Sequence, residues 1–194
     1  GVHATGETCL QYLLMTMEAL QEQGGRAKCN PPLRAQEHVD GLWKQVQEGV
    51  VDIVTSDHSP YPLDRKLTED IFDAYAGMPG VETLGTLLYS EGVATGRIDL
   101  KRLVQLVSSG PAAVFGFASK GRLEPGADAD FVVFDPDAAW QLDETEMHHA
   151  VGWSPYHGRD VRGRVVSTWL RGRCVYREGQ VVADPGAGRF LRPS

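Results

Sequence analysis

The sequence predicts an α/β fold: strand, helix and strand joined by short turns, followed by a smaller β-rich lobe. Three observations carry that reading. Residues 35–48 set Val39, Leu42, Trp43 and Val46 among polar neighbours, the spacing of one helical face. Directly after Gly49, the run Val50-Val51-Asp52-Ile53-Val54-Thr55 is β-branched and reads as a buried strand. Near Ser119 the character changes, and residues 119–194 become β-forming runs broken by turn signals.

From the N-terminus, residues 2–8 read as a short strand and residues 12–23 as an apolar-rich helix stopped by Gly24-Gly25. Pro31-Pro32 breaks the chain before the 35–48 helix. This rhythm belongs to a parallel α/β sheet or barrel. After Ser56 a loop rich in proline and charge runs to about residue 70, and helical patterns occupy 81–94, 100–108 and 112–117. In the second part, Phe131-Val132-Val133-Phe134 is a strand ended by a turn at Asp135-Pro136-Asp137. Residues 161–176 alternate apolar and polar side chains, with Arg171-Gly172-Arg173 as a hairpin turn. The division falls between residues 1–118 and 119–194.

Composition excludes several classes. A net charge of −7, with no long Lys/Arg run, disfavours a nucleic-acid partner, whose binding depends on cationic contacts. Cys9, Cys29 and Cys174 are scattered without a CxxC pair, which argues against a disulfide framework or zinc knuckle and suits a reducing cytoplasm. No apolar stretch is long enough to span a membrane. The first six residues lack the basic start and apolar core of a signal peptide. Gly1-Val2-His3 has no initiator Met, which fits a fragment and equally a processed or engineered start.

One segment carries chemistry. In Val51-Asp52-Ile53-Val54-Thr55-Ser56-Asp57-His58-Ser59-Pro60, a hydrophobic strand ends on a carboxylate and an imidazole. In parallel α/β folds the C-terminal strand ends form the cleft, so functional groups collect there. A carboxylate at that place can ligate a metal and exchange a proton with a metal-activated water. The alternative reading is an aspartate that caps the following turn.

Several motifs in order give these residues a family. Gly6-Glu7-Thr8-Cys9-Leu10-Gln11-Tyr12-Leu13 resembles the seventh-strand motif of cyclic amidohydrolases, and Asn30-Pro31-Pro32-Leu33-Arg34 the loop after it. Ser56-Asp57-His58-Ser59-Pro60 resembles the eighth-strand motif, and Gly77-Met78-Pro79-Gly80-Val81-Glu82-Thr83 the active-site loop that follows. Gly121-Arg122-Leu123-Glu124-Pro125-Gly126 resembles the return into the small domain, and Ser154-Pro155-Tyr156-His157-Gly158-Arg159 and Gly188-Arg189-Phe190-Leu191 the allantoinase tail. The chain thus resembles the C-terminal portion of the allantoinase, hydantoinase and dihydroorotase group.

The resemblance implies the last part of a (β/α)8 TIM-type barrel followed by part of a small β-sandwich domain. It implies two divalent metal ions, zinc or else manganese, cobalt or iron, bridged by a carboxylated lysine. Asp57 would be the last-strand metal ligand and the base that takes a proton from the bridging hydroxide as it attacks a cyclic ureide or amide. Asn30 and the backbone around Ala76 and Gly77 would fix the ring. Tyr61 stands where dihydroorotases carry histidine, Gln11 matches the hydantoinase form of its motif, and Leu10 replaces the usual proline. The Ser-Asp-His-Ser-Pro run and residues 154–159 favour allantoinase, with hydantoinase, dihydropyrimidinase and dihydroorotase as alternatives. A non-catalytic scaffold member of the superfamily is a further alternative.

What is missing bears on activity. A (β/α)8 domain needs about 250 residues, and no His-x-His pair is present among His3, His38, His58, His148, His149 and His157. Lys28, Lys44 and Lys66 read as surface residues, so none is nominated as the bridge. The isolated chain is expected to be inactive, and to self-associate or pair with a complementing N-terminal half, because a cut barrel exposes apolar faces. His3 is a poor ligand candidate. His148-His149 reads as an exposed helix end, and Cys9 as a small hydrophobe. Trp140, Trp153 and Trp169 are assigned to the β lobe, and Met15 and Met17 to the core.

Overall fold

The computed structural model describes residue 2 and residues 4–193. His3 lies outside the described residues. Strands β1 (Glu7–Cys9) and β2 (Ile53–Thr55) lie side by side in parallel, in register from Glu7 opposite Ile53 to Cys9 opposite Thr55. The strands are shorter than the apolar runs that predict them. The carboxylate of Asp52, just before β2, accepts a hydrogen bond from the Gly6 amide at 2.7 Å and aligns the entry to the pair.

Between these strands the predicted 12–23 helix is two helices, α1 (Leu10–Leu14) and α2 (Met17–Gln23). Met15 and Thr16 are extended at the break, and the Met17 amide donates to the Arg34 carbonyl at 2.9 Å. Met15 is buried, as expected of a core residue, whereas Met17 is exposed on the first turn of α2. Helix α3 (Gln36–Glu48) buries Val39, Trp43 and Val46, the face its spacing predicts. Trp43 Nε1 donates to the Leu13 carbonyl at 2.8 Å, fastening α3 to α1. The helix ends at Gly49, whose left-handed backbone closes the last carbonyls, as glycine readily does.

After a long loop come α4 (Leu84–Leu88) with a π-helical turn (Tyr89–Val93), and then α5 (Leu100–Val104). Asp99 caps α5 by accepting from the Arg102 amide at 2.7 Å. A second π-helical turn (Gln105–Ser109) leads into α6 (Gly110–Val114), so two predicted helices run on as one stretch. Pro111 is tolerated because it stands at the start of α6. No helix of the described residues is long and apolar enough to cross a membrane.

The second part is one antiparallel sheet in the order β3 (Phe131–Gln141), β4 (Asp160–Leu170), β5 (Arg173–Arg177), β6 (Gln180–Val181). Arg171 and Gly172 both have left-handed backbone and form the two-residue hairpin between β4 and β5. The turn expected at Asp135-Pro136-Asp137 does not end the strand. It is an irregularity inside β3, where the register to β4 shifts between Asp135 and Ala139; Pro136 lacks the N–H a ladder needs, and a bulge accommodates it.

Both parts share one core. Leu142, Trp153, Tyr156 and Val161 pack in the same cluster as Leu10, Leu13, Trp43 and Leu87. Trp140 and Trp169 belong to the β lobe as expected: Trp140 Nε1 donates to the Gly163 carbonyl at 3.0 Å, and Trp169 stacks on Phe131. Trp153 does not. It is fully buried, donates to the Tyr61 carbonyl at 2.8 Å, and carries the Arg26 guanidinium over its ring. Arg26 also pairs with Glu144 and donates to the Ser154 carbonyl, while Arg159 reaches the Leu14 carbonyl at 3.1 Å. The connector after β3 is thus threaded into the first part.

Candidate active site

Asp57 stands two residues beyond the C-terminal end of β2, and Gln11 two residues beyond the end of β1. The parallel pairing brings them to the same end, and Gln11 Nε2 lies 3.4 Å from Asp57 Oδ2. Gln11 is buried and Asp57 exposed, so an enclosed amide steadies a carboxylate that still faces outward. The Asp57 backbone is left-handed, with φ 46°, a conformation uncommon outside glycine but tolerated by aspartate. That kink ends the extended run. Its carbonyl accepts from Ser59 Oγ at 3.2 Å.

Three loops converge beside this carboxylate. The loop after β2 pairs with the 77–81 segment: Ser59 donates to the Met78 carbonyl at 2.9 Å, and His58 bridges to Met78 in parallel fashion. His58 Nδ1 accepts from the amides of Gly80 and Val81, at 3.1 and 3.3 Å. Burial, together with nearby His149, lowers the His58 pKa and keeps that nitrogen free to accept. The imidazole therefore acts as a loop fastener. Gly77 has φ 141° and no room for a side chain, since a Cβ there would sit 2.5 Å from Ser59 Cβ.

The third loop carries Asn30. The Asn30–Pro31 peptide is cis, and Tyr12 Oη donates to the Pro31 carbonyl at 2.8 Å. Gly77 N donates to the Lys28 carbonyl at 2.9 Å, joining this loop to the 77–81 segment. Asn30 is exposed, and neither its side chain nor the peptide groups of Ala76 make a hydrogen bond among the described residues. Gly77 differs: its N–H and its carbonyl are both engaged internally.

Lys66 was expected on the surface and is instead fully buried, its Nζ donating to the carbonyls of Lys28, Tyr75 and Gly77 at 3.0, 2.6 and 2.6 Å. Nothing in its polar, charged sequence neighbourhood signals this. Its acceptors are backbone carbonyls, which every residue type supplies alike. Burial pushes the Lys66 pKa down to about 8. Lys44 is exposed, and Lys28 Nζ reaches the carbonyls of Ile71 and Phe72.

His148-His149 follows closely on a short 3-10 helix (Glu144–Glu146); His148 is exposed, as expected, and bonds Glu82 through its ring at 2.7 Å and through its amide at 2.9 Å. Among the described residues His149 Nδ1 is enclosed without a partner. Cys9 lies 3.5 Å from Thr55 Oγ1, and burial raises its pKa, which disfavours the thiolate. Burial likewise raises the pKa of Cys29. A cavity of 690 Å³ opens between α4 and the sheet, lined by Glu82, Leu87, Trp140, His148 and Tyr176, and contains none of the residues around Asp57.

Among the described residues no three His, Cys, Asp or Glu side chains are grouped to hold a metal ion. A divalent pair needs several donors. Asp57 offers one exposed carboxylate, so the residues present fit one corner of such a centre and not a complete one.

A parallel strand pair that ends on an exposed carboxylate, beside loops whose Asn30 and Ala76 polar groups make no hydrogen bond among the described residues, is the place where α/β folds gather functional groups. Residues 70–176 match the model of the amidohydrolase family, and the chain belongs to that family. It is 49% identical over its whole length to an allantoinase of Rubrobacter xylanophilus, covering 42% of that protein. It is 38% identical to a D-phenylhydantoinase of Escherichia coli, covering 96% of this chain and 41% of the relative. Among solved structures, a dihydropyrimidinase from Brevibacillus agri superposes with a TM-score of 0.91 at 36% identity, over 98% of this chain and 43% of that one. The chain thus spans about two fifths of the length of the relatives it matches.

Proposed function

We propose that the complete protein hydrolyses a C–N bond, other than a peptide bond, in a small cyclic ureide or amide, with allantoin-like rings as the substrate class. The supporting observation is the Asp57 carboxylate, held by Gln11 at the C-terminal end of two parallel strands, beside loops whose Asn30 and Ala76 polar groups are uncommitted among the described residues. The similarity to an allantoinase over the full chain favours that substrate class. We read residues 1–118 as the C-terminal βα units and closing helices of a (β/α)8 barrel and 119–194 as part of a small β-sandwich domain. A cytoplasmic location goes with this reading.

In this reading Asp57 takes a proton from the attacking water and returns one to the departing ring nitrogen, so the products are a carboxylate and an open-chain amide or ureido group. Divalent metal, zinc or a similar ion, supplies Lewis-acid activation of that water. Asp57 would be one of its ligands, the others lying outside this chain. Gly77 has spent both its peptide groups on internal bonds, so contact with the ring falls to Asn30 and to the N–H and C=O of Ala76.

Gln11 supports a second reading. It matches the hydantoinase form of the strand motif and is the residue that touches Asp57. The test is turnover by the complete protein, loaded with zinc or manganese, on allantoin, hydantoin, dihydrouracil and dihydroorotate. Preference for allantoin supports the first reading, and preference for hydantoin or dihydrouracil the second. No turnover on any ring, with metal bound, would leave the scaffold alternative.

A further inference from the structure

We propose that Lys66 is a positioning residue: its buried ammonium ties the Asn30 loop to the Ala76–Gly77 loop and sets the direction in which Ala76 presents its peptide groups. The proposal deepens the reading above and rests on it for the identity of the ring. The clamp itself stands on geometry.

A lysine ammonium has three N–H donors. All three acceptors here are main-chain carbonyls, those of Lys28, Tyr75 and Gly77, and no carboxylate pairs with Lys66 among the described residues. An ammonium bound to a carboxylate would gain charge pairing. One bound to three carbonyls from two loops fixes backbone instead. Lys28 lies two residues before Asn30, and Tyr75 and Gly77 flank Ala76 on either side. The lysine is itself hemmed in, because a Cβ on Gly25 would come 1.7 Å from the Lys66 carbonyl.

Peptide planarity turns this grip into orientation. The carbonyl of residue 75 and the amide of residue 76 belong to one trans unit, so they point in opposite directions. Tyr75 C=O aims at Lys66 Nζ, hence Ala76 N–H aims away from it. Likewise Gly77 N–H aims at the Lys28 carbonyl, so Ala76 C=O aims away from that. The two targets are adjacent, 3.0 Å apart. Ala76 therefore turns a donor and an acceptor to the same side, the pairing that a cyclic amide, with its own N–H beside C=O, complements.

The test uses the complete protein, in wild-type form and with Lys66→Met and Lys66→Gln. Amide hydrogen exchange is followed for segments 28–31 and 75–78, with helix 36–48 as internal reference, alongside kcat and KM. For Lys66→Met, exchange in both loop segments should rise at least about tenfold while the reference helix is unchanged. The ratio kcat/KM should fall about 100-fold, the size of effect expected from misplaced binding groups. Lys66→Gln, which keeps an amide donor, should recover part of both losses. Unchanged exchange in the two loops, or kcat/KM within threefold of wild type, overturns the proposal. So does global unfolding of both variants, which would make Lys66 a core residue and nothing more. If wild type opens no ring, the functional reading fails, and the exchange data still decide the clamp.

Discussion

At the residue scale, Asp57 is exposed, holds a left-handed backbone and touches a buried glutamine at the edge of hydrogen-bond distance. Its carboxylate does little to hold the fold together. Asp57→Asn in the complete protein should therefore leave the melting temperature nearly unchanged while turnover drops by about 10²–10⁴-fold, the range for removing a general base. Parallel calorimetry and kinetics would reveal it, and equal loss of both would assign the residue to stability. Gly77 is the converse case. Gly77→Ala forces a side chain into a position 2.5 Å from Ser59 Cβ on backbone that side chains avoid. It should lower the unfolding midpoint and move both flanking loops. The sequence nominates Asp57 because a carboxylate after a β-branched run is a local signal. Lys66 gave no such signal, since its partners lie up to 38 residues away.

At the scale of elements, strand and helix positions followed the apolar spacing, and breaks followed tertiary hydrogen bonds. Within the predicted 35–48 range, α3 (Gln36–Glu48) forms where Val39, Trp43 and Val46 say it should. The break at Met15–Thr16 depends on Arg34, which captures the Met17 amide from another segment, and no periodicity within 12–23 encodes that. Beyond α3, the segment at residue 148 is fastened to Glu82, just ahead of α4, through the His148 ring and amide. The Glu82 hydrogen bond raises the His148 pKa above its ordinary 6.5. A raised folded-state value means the link stabilises below the unfolded pKa and fades as pH rises through the folded one. Removing it by Glu82→Gln should thus lower the melting temperature at pH 5.5 and have a smaller effect at pH 8.5. An equal effect at both pH values would show that His148 charge plays no part.

At the scale of the whole molecule, one core joins the helical part to the sheet, and Trp153 sits fully buried at the junction. Trp153→Ala should cost about 3–5 kcal/mol, the usual range for deleting a buried aromatic, and denaturant titration would measure it. Because Arg26 and Lys66 both lie over that ring, the loss should also loosen the loops around Asp57. The sheet leaves Val132, Val133 and Val181 exposed, and among the described residues no three His, Cys, Asp or Glu side chains group to hold a metal ion. We expect the isolated 194-residue chain to sediment as more than a monomer, to bind less than one zinc per chain, and to turn over no cyclic amide. A complementing N-terminal chain should restore turnover. Stoichiometric metal and activity in the chain alone would contradict this.

By itself the sequence determined much that is local: the helix that buries Val39, Trp43 and Val46, the helix stops at Gly24 and Gly49, and that a carboxylate follows the strand ending at Thr55. Ordered motifs also pointed to the amidohydrolase family. Only the tertiary structure decided which side chain meets that carboxylate, that Trp153 leaves the β lobe for the first part, and that a lysine in a polar loop is buried against three carbonyls. The reason is physical. Periodicity reports the side of an element that faces the core, whereas hydrogen bonds between distant loops join backbone groups that are the same in every residue and leave no mark in the sequence.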